Sequence, residues 1–396
     1  MTLPLDGYRV LDLTLRAPGP FCTWILGDMG ADVVRIEEPA SRLRAERAPD
    51  DDDPLVVERR AAHDVLGRNK RSIALNLKDQ AAREVFYKLC ATADVVIEGF
   101  RPGVVARLGV DYDKVRAINP RIVYCSLSGF GQTGPYKGLP GHDINFVALA
   151  GALGIIGPAG GPPVPPSNLV GDFAAGGMQA AIGILVALLA RERSGRGQYI
   201  DVAMADGVLA LMAMAYSAFF ASGEAPGTGE TAFTGMAPFY QVYLTKDDKY
   251  ISVGCNESWF YENLCRLLEL EEYLPYQQSA EKWPEIKAAF AEKFRAKTRD
   301  EWWRLFQARD VCGAPVYGLD EAPDDPQFRE RGIFIEVEHP TLGPVRQVGI
   351  STRLSETPGS VRSLAPRVGQ HTDEILAGLG YPQERIQALR ASGAIK

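Results

Sequence analysis

No pair of cysteines in this 396-residue chain stands at metal-ligand or redox spacing; Cys22, Cys90, Cys125, Cys255, Cys265 and Cys312 are scattered along it. That rules against a zinc ribbon or a disulfide framework and implies separate thiols in a reducing compartment. Histidine is scarce, with 4 residues and no HExxH pair, so no metal site is expected. The GxSxG elbow and the P-loop are both missing, which removes the commonest serine-hydrolase and triphosphatase readings. Positive charge is not in excess: 43 Lys and Arg against 50 Asp and Glu leave a net charge of −7. A general nucleic-acid binder would show a net basic surface instead. The longest strongly apolar run, at 180–190, has 11 residues. A membrane-crossing helix needs about 20. The opening residues lack the basic start and long apolar core of a signal peptide. The expected setting is the cytoplasm, with neither membrane nor nucleic acid as a partner.

What is present is an ordinary globular composition, 46% apolar and 23% charged. At about 150 residues per domain the length suggests two or three domains. Strand-like runs at 8–13, 32–36, 72–77, 94–98 and 121–127 alternate with helical stretches at 21–29 and 80–91. Alternation of this kind predicts βαβ units and a parallel sheet. A Gly/Pro-rich passage at 154–168 precedes two apolar helical stretches, 173–192 and 201–221. Beyond it come a hairpin at 239–253, helices to position 309, strands at 333–338 and 345–350, and a helix at 372–379. The acidic run Asp50–Asp53 reads as a loop.

Several motifs have two readings. Gly129 to Gly134 (GFGQTG) fits the dinucleotide pattern GxGxxG, but PYKGLP follows where a helix should open, so a tight glycine loop is the better account. Between positions 59 and 71, Arg59, Arg60, Arg68, Lys70 and Arg71 face only Asp64. Such a cluster could hold phosphates or be a solvated loop. His371 stands where a helix cap is expected. Met204, Met212 and Met214 on one apolar helix read first as core, and second as a lining for variable apolar chains. His142 follows a Pro-Gly turn. Asp172 precedes an apolar helix and would serve as its N-cap; both residue types also suit proton transfer.

Taken in order, DGYRVLDLT, LGDMGADVVRIEEP, GRNKRSIALNLK, EGFRPGVVARLG, SLSGFGQTGP, GHDINF, NLVGDF, SGRGQYIDVAMADG and GQHTDEIL resemble family III CoA-transferases over essentially the whole chain. The resemblance implies an α/β fold with a Rossmann-like large domain and a smaller α+β domain. The large domain would comprise 1–221 and 330–396, the small one 228–325, with linkers at 222–227 and 326–329. It also implies an interlocked homodimer and an acyl-CoA thioester substrate, with no cofactor beyond the CoA of the substrate itself.

Transferases of the family carry a nucleophilic Asp at the position of Asp172, with Tyr in place of His142 and a glycine-rich loop in place of 255–259. Its racemase members have GHDIN followed by an aromatic residue, matched by Gly141 to Phe146, and a Glu before an aromatic-Tyr pair, matched by Glu257, Phe260 and Tyr261. The resemblance therefore implies a racemase acting on 2-methylacyl-CoA in fatty-acid metabolism. Such a reaction takes the α-proton from one face and returns one to the other, so two groups of similar basicity must flank the carbon. His142 and Asp172 would be that pair, with partial burial raising the basicity of Asp172 and Glu257 orienting His142. Backbone N–H groups at the start of the Asp172 helix would receive the enolate oxygen. By resemblance Leu75 and Lys78 adjoin the adenine and Arg107 a phosphate, with Arg68, Lys70 and Arg101 added on charge alone. Glu38 stands where several relatives have Arg. Met204, Met212, Met214 and Tyr240 are acyl-pocket candidates. A CoA-transferase working through Asp172 and a non-catalytic acyl-CoA-binding protein are the alternatives. Neither needs an ionisable group at Glu257.

Overall fold

The computed structural model describes residues 2–39 and 53–396, so Asp50–Asp52 of the acidic run lie outside the described residues. Asp53 caps a helix, its side chain accepting from Leu55 N at 2.8 Å. The chain forms two compact units, 1–150 with 167–211 and 327–396, and 151–166 with 212–326. The expected boundaries differ at 151–166 and 212–221, which group with the second unit. For 151–166 local hydrogen bonds account for this: Thr228 Oγ1 donates to Gly154 O (2.8 Å) and Gly229 N to Ile155 O (3.1 Å).

Among the described residues the first unit has a six-stranded sheet of β1 (Arg9–Leu13), β2 (Asp32–Glu37), β3 (Lys70–Ala74), β4 (Val95–Glu98), β5 (Val123–Ser128) and β6 (Tyr199–Ala203). Every pairing is parallel and the spatial order is β3-β2-β1-β4-β5-β6. This is the doubly wound order, in which the direction of winding reverses between β1 and β4 and leaves a crevice at the carboxyl ends of the strands. The strands are Val/Ile-rich because both faces are buried. Val96, Ile73 and Tyr124 enter one core layer, Val95, Ile97 and Cys125 the other. β6 lies where a helix was expected from 201 onward. Residues 201–203 of this strand read as helix because the apolar run after them masks the change of period.

The helix Gln179–Ser194 covers one face of this sheet through Ala180, Ile184, Ala187 and Leu188. It continues directly from Leu169–Met178, ten residues of wider π-helical geometry. Together the 26 residues are long and apolar enough, by length and composition, to cross a membrane. The 11-residue run understated this, because helical geometry carries through Asp172 and Gln179, which interrupt the run in sequence. In this unit one side of that helix is core.

The second unit has an antiparallel sheet of β7 (Tyr240–Leu244), β8 (Tyr250–Gly254) and β9 (Gly313–Val316). Helices Ser258–Leu268, Trp283–Phe294 and Arg299–Arg309 bury an aromatic core in which Tyr243 stacks on Phe294 at 4.8 Å. The tail returns to the first unit with the hairpin β10 (Phe334–His339) and β11 (Gly343–Val348) and the helices Thr372–Gly378 and Gln383–Ala391.

Candidate active site

Two cavities open at the carboxyl ends of the parallel strands. The larger, about 660 Å³, is walled by Thr14 to Gly19 after β1, Gly99 to Pro102 after β4, the end of β5, and Met204 after β6. His142 and Asp172 both line it, so the expected pair is brought into one crevice at the switch point. The smaller, about 230 Å³, lies over β1, β2 and β3 and is lined by Ile36, Glu38, Leu75, Lys78, Val104 and Leu108, among others. Leu15 and Phe100 line both cavities, which are therefore neighbours.

The glycine loop is as expected. Gly131 and Gly134 take positive φ (81° and 83°), and no helix follows until Asp143–Leu149. Gln132 N donates to the Asp201 carboxylate at 3.0 Å, pinning the loop to β6. His142 caps the short Asp143–Leu149 helix by position and is exposed; its N–H donates to Asn145 Oδ1 at 3.0 Å.

Asp172 corrects two expectations. It is not an N-cap but lies inside the first π-helical turn, where Asn168 holds the capping position. Its N–H does not await an enolate oxygen: it donates to Asp143 Oδ2 at 2.7 Å. Burial raises the Asp172 pKa above the usual carboxylate range and the Asp143 charge adds to this; the hydrogen bond with Asn168 and the nearness of His142 oppose both. A carboxylate so placed is a better base than a solvated Asp.

The cationic candidates separate sharply. Arg68 is fully buried, its Nη2 and Nε binding Asp28 at 2.6 and 3.0 Å and its Nη1 donating to Val348 O. Lys70 is buried as well, its Nζ 2.6 Å from Thr23 Oγ1 and 3.4 Å from Asp12 Oδ2. Arg71 is held by Asp32. Arg68, Lys70 and Arg71 are thus ion-paired around the start of β3, whereas Arg59 and Arg60 are exposed on the Pro54–Ala62 helix, and the assignment of Arg68 and Lys70 to CoA is corrected on that ground. Arg101, Arg107 and Lys78 are exposed. Arg101 lines the large crevice and Lys78 the small cavity, where it is paired with Glu38 at 2.8 Å; Leu75 forms part of the same apolar wall.

The methionines do not share one helix. Helical geometry breaks at Met212, between Met204–Leu211 and Ala213–Ser222. Met204 is buried in the crevice wall, whereas Met214 is 78% exposed in the second unit. Glu257 and Tyr240 belong to that unit too. Glu257 stands exposed at the start of Ser258–Leu268 and makes no side-chain cap. Tyr240 packs edge-on to Phe233 in a groove of about 510 Å³. His371 occupies a cap position without capping; its Nδ1 accepts from Ser72 N at 3.1 Å. Sequence reasoning passed over Arg16, Lys137 and Asp143. The first follows β1 directly, and loops after strands of a doubly wound sheet are where ligands bind.

The sequence profile described as CoA-transferase family III matches residues 5–372. The chain belongs to this family. It is 39% identical to human alpha-methylacyl-CoA racemase over all of this chain and 98% of that protein. It is 32% identical to human succinyl-CoA:glutarate CoA-transferase over 99% of this chain and 90% of that protein. A CAIB/BAIF family protein from Brucella suis has the same fold, with a TM-score of 0.82 and 28% identity over 96% of this chain and 100% of that one. As a family III member, this chain is an enzyme of acyl-CoA chemistry, similar to racemases and CoA-transferases alike.

Proposed function

We propose that this protein is an acyl-CoA racemase that epimerises the α-carbon of 2-methylacyl-CoA thioesters through an enolate. The observation that carries the proposal is the meeting of His142 with a partly buried Asp172 of raised pKa in one crevice. Each can act as acid or base according to the hand of the substrate, and matching their basicities lets the reaction run both ways. Identity to alpha-methylacyl-CoA racemases over the full length of the chain adds support.

The substrate would lie across the two neighbouring cavities. Its adenine would occupy the apolar cavity of Leu75 and Val104 beside Lys78, its phosphates would pass Arg101 and Arg107, and its thioester would reach the large crevice. The positive end of the Pro18–Asp28 helix forms part of the crevice wall at Pro18 and Gly19, and favours the enolate charge. Glu257 would orient His142 in an assembled homodimer. The helix Gln179–Ser194 carries an outward stripe of Ile182, Val186 and Leu189, 54%, 59% and 68% exposed, that a second copy would cover.

Incubation of a 2-methylacyl-CoA with the enzyme in D₂O is the deciding experiment. Deuterium should enter at Cα with the thioester intact and without transfer to added carboxylic acids. Release of CoA through a hydroxylamine-sensitive acyl-enzyme, with no exchange at Cα, would make the protein a transferase using Asp172 as nucleophile.

A further inference from the structure

We infer that Asp143 is a positioning residue for Asp172, holding its backbone and setting the basicity of its carboxylate; the inference rests on the racemase proposal only in naming Asp172 as the base. Asp143 is the residue next to His142 and the first of the Asp143–Leu149 helix. Only 6% of its surface is exposed. Its Oδ2 accepts the Asp172 N–H at 2.7 Å across 29 residues of sequence. This ties the start of the π-helical segment to the helix that His142 caps, so the two reacting groups share one support.

Gly171 allows the approach. A Cβ there would lie 2.8 Å from Asp143 Oδ2 and 3.2 Å from Asp143 Cα, too close for any other residue without displacement. The second oxygen, Oδ1, is buried with no hydrogen-bond partner among the described residues. A buried carboxylate satisfied on one side only is costly and calls for a reason. Its negative charge beside Asp172 supplies that reason, because a like charge disfavours ionisation of its neighbour.

Of the groups around Asp172, Asp143 raises and His142 lowers its pKa. Arg16, Arg101 and Lys137 share the crevice, and Asp206 and Asp201 stand on the adjacent helix and on β6. Asp143 thus has a function distinct from that of a solvated helix-start acid.

The test uses the full-length protein with ¹³C-labelled aspartate, the Asp172 signal being assigned through Asp172→Asn. In Asp143→Asn the Asp172 carboxyl should titrate at lower pH than in the wild type. The kcat for α-proton exchange should fall about ten- to a hundredfold, the size of effect known for residues that hold a metal ligand in place. The acidic limb of its pH profile should move to lower pH, while KM and CoA affinity stay unchanged. Gly171→Ala, which displaces the Asp143 carboxylate, should move the titration the same way. An Asp172 titration unmoved in Asp143→Asn, with CoA affinity showing that the protein is folded, overturns the inference. Wild-type protein that exchanges no α-proton, but whose Asp172 titration still moves in the variant, overturns the racemase proposal and leaves the positioning role standing.

Discussion

Asp172 illustrates how a single side chain can be shaped for reaction at the expense of stability. Its folded-state pKa is raised, first by burial and then by Asp143. A carboxylate with a raised pKa favours the folded state most below its unfolded pKa, and that contribution is lost as pH rises through the folded value. Asp172→Asn should therefore melt at the same temperature as the wild type near pH 3 and at a higher one at pH 7, measured by calorimetry across that range. Alanine at either His142 or Asp172 should cost about 10²–10⁴-fold in α-proton exchange, the usual range for a positioned proton-transfer group, with CoA affinity unchanged by titration calorimetry. Lys78 and Glu38 form a second residue-scale test. Their exposed ion pair occupies the ammonium that the proposal assigns to CoA. Glu38→Gln should release it and tighten CoA binding, and a weaker Kd would remove Lys78 from the binding site.

At the scale of elements, β3 and its neighbours show what a basic cluster can become on folding. Arg68 and Lys70 precede and open β3, and each is drawn to an aspartate inside the fold, Asp28 at the end of the Pro18–Asp28 helix and Asp12 on β1. The Asp12 carboxylate also accepts from Thr14 N at 2.9 Å and from Thr23 Oγ1 at 2.5 Å, which braces the turn that enters the crevice wall. Burial pushes the Asp12 pKa up, but Lys70, the Thr14 and Thr23 hydroxyls and the Thr14 N–H outweigh it and hold it below the usual range. Removing one member of such a pair leaves an uncompensated buried charge. Arg68→Ala should lose about 3–5 kcal/mol of unfolding free energy in a denaturant titration. Arg107→Ala, at an exposed site, should leave stability within about 0.5 kcal/mol and weaken CoA binding instead. The pattern 59–71 has the same appearance in sequence at both kinds of position. Only the pairing partners, 40 residues away for Arg68 and 58 for Lys70, separate a buried brace from a ligand contact.

At the scale of the whole molecule, the proposed homodimer can be tested at the outward stripe on Gln179–Ser194. Ile182, Val186 and Leu189, at i, i+4 and i+7, are exposed together, and the proposed homodimer would cover them. Leu189→Glu should shift the protein toward monomer in sedimentation velocity. If Glu257 reaches His142 through that assembly, activity should fall with dimer fraction and recover at high protein concentration.

The parallel sheet was legible in advance because five of its strands are separate apolar runs bounded by turns and helices, and a doubly wound sheet needs little more than that alternation. The pairing of His142 with Asp172 was legible only through the family resemblance of GHDINF and NLVGDF, because each residue taken alone reads as a turn or cap residue. β6 was not, because five residues of strand run straight into an apolar helix with no turn between them. Nor was the break at Met212, which divides one apolar stretch between two units. The sequence by itself determined the alternation of elements, the identities of the ionisable groups and the glycines that permit close approach. Tertiary structure decided which charges are buried with partners, that the Asp172 N–H is taken by Asp143, and that two neighbouring cavities share Leu15 and Phe100 in their walls. The physical reason is range. Periodicity and turn chemistry act over a few residues and can be read locally, whereas burial, dielectric environment and ion pairing depend on residues brought together from distant parts of the chain.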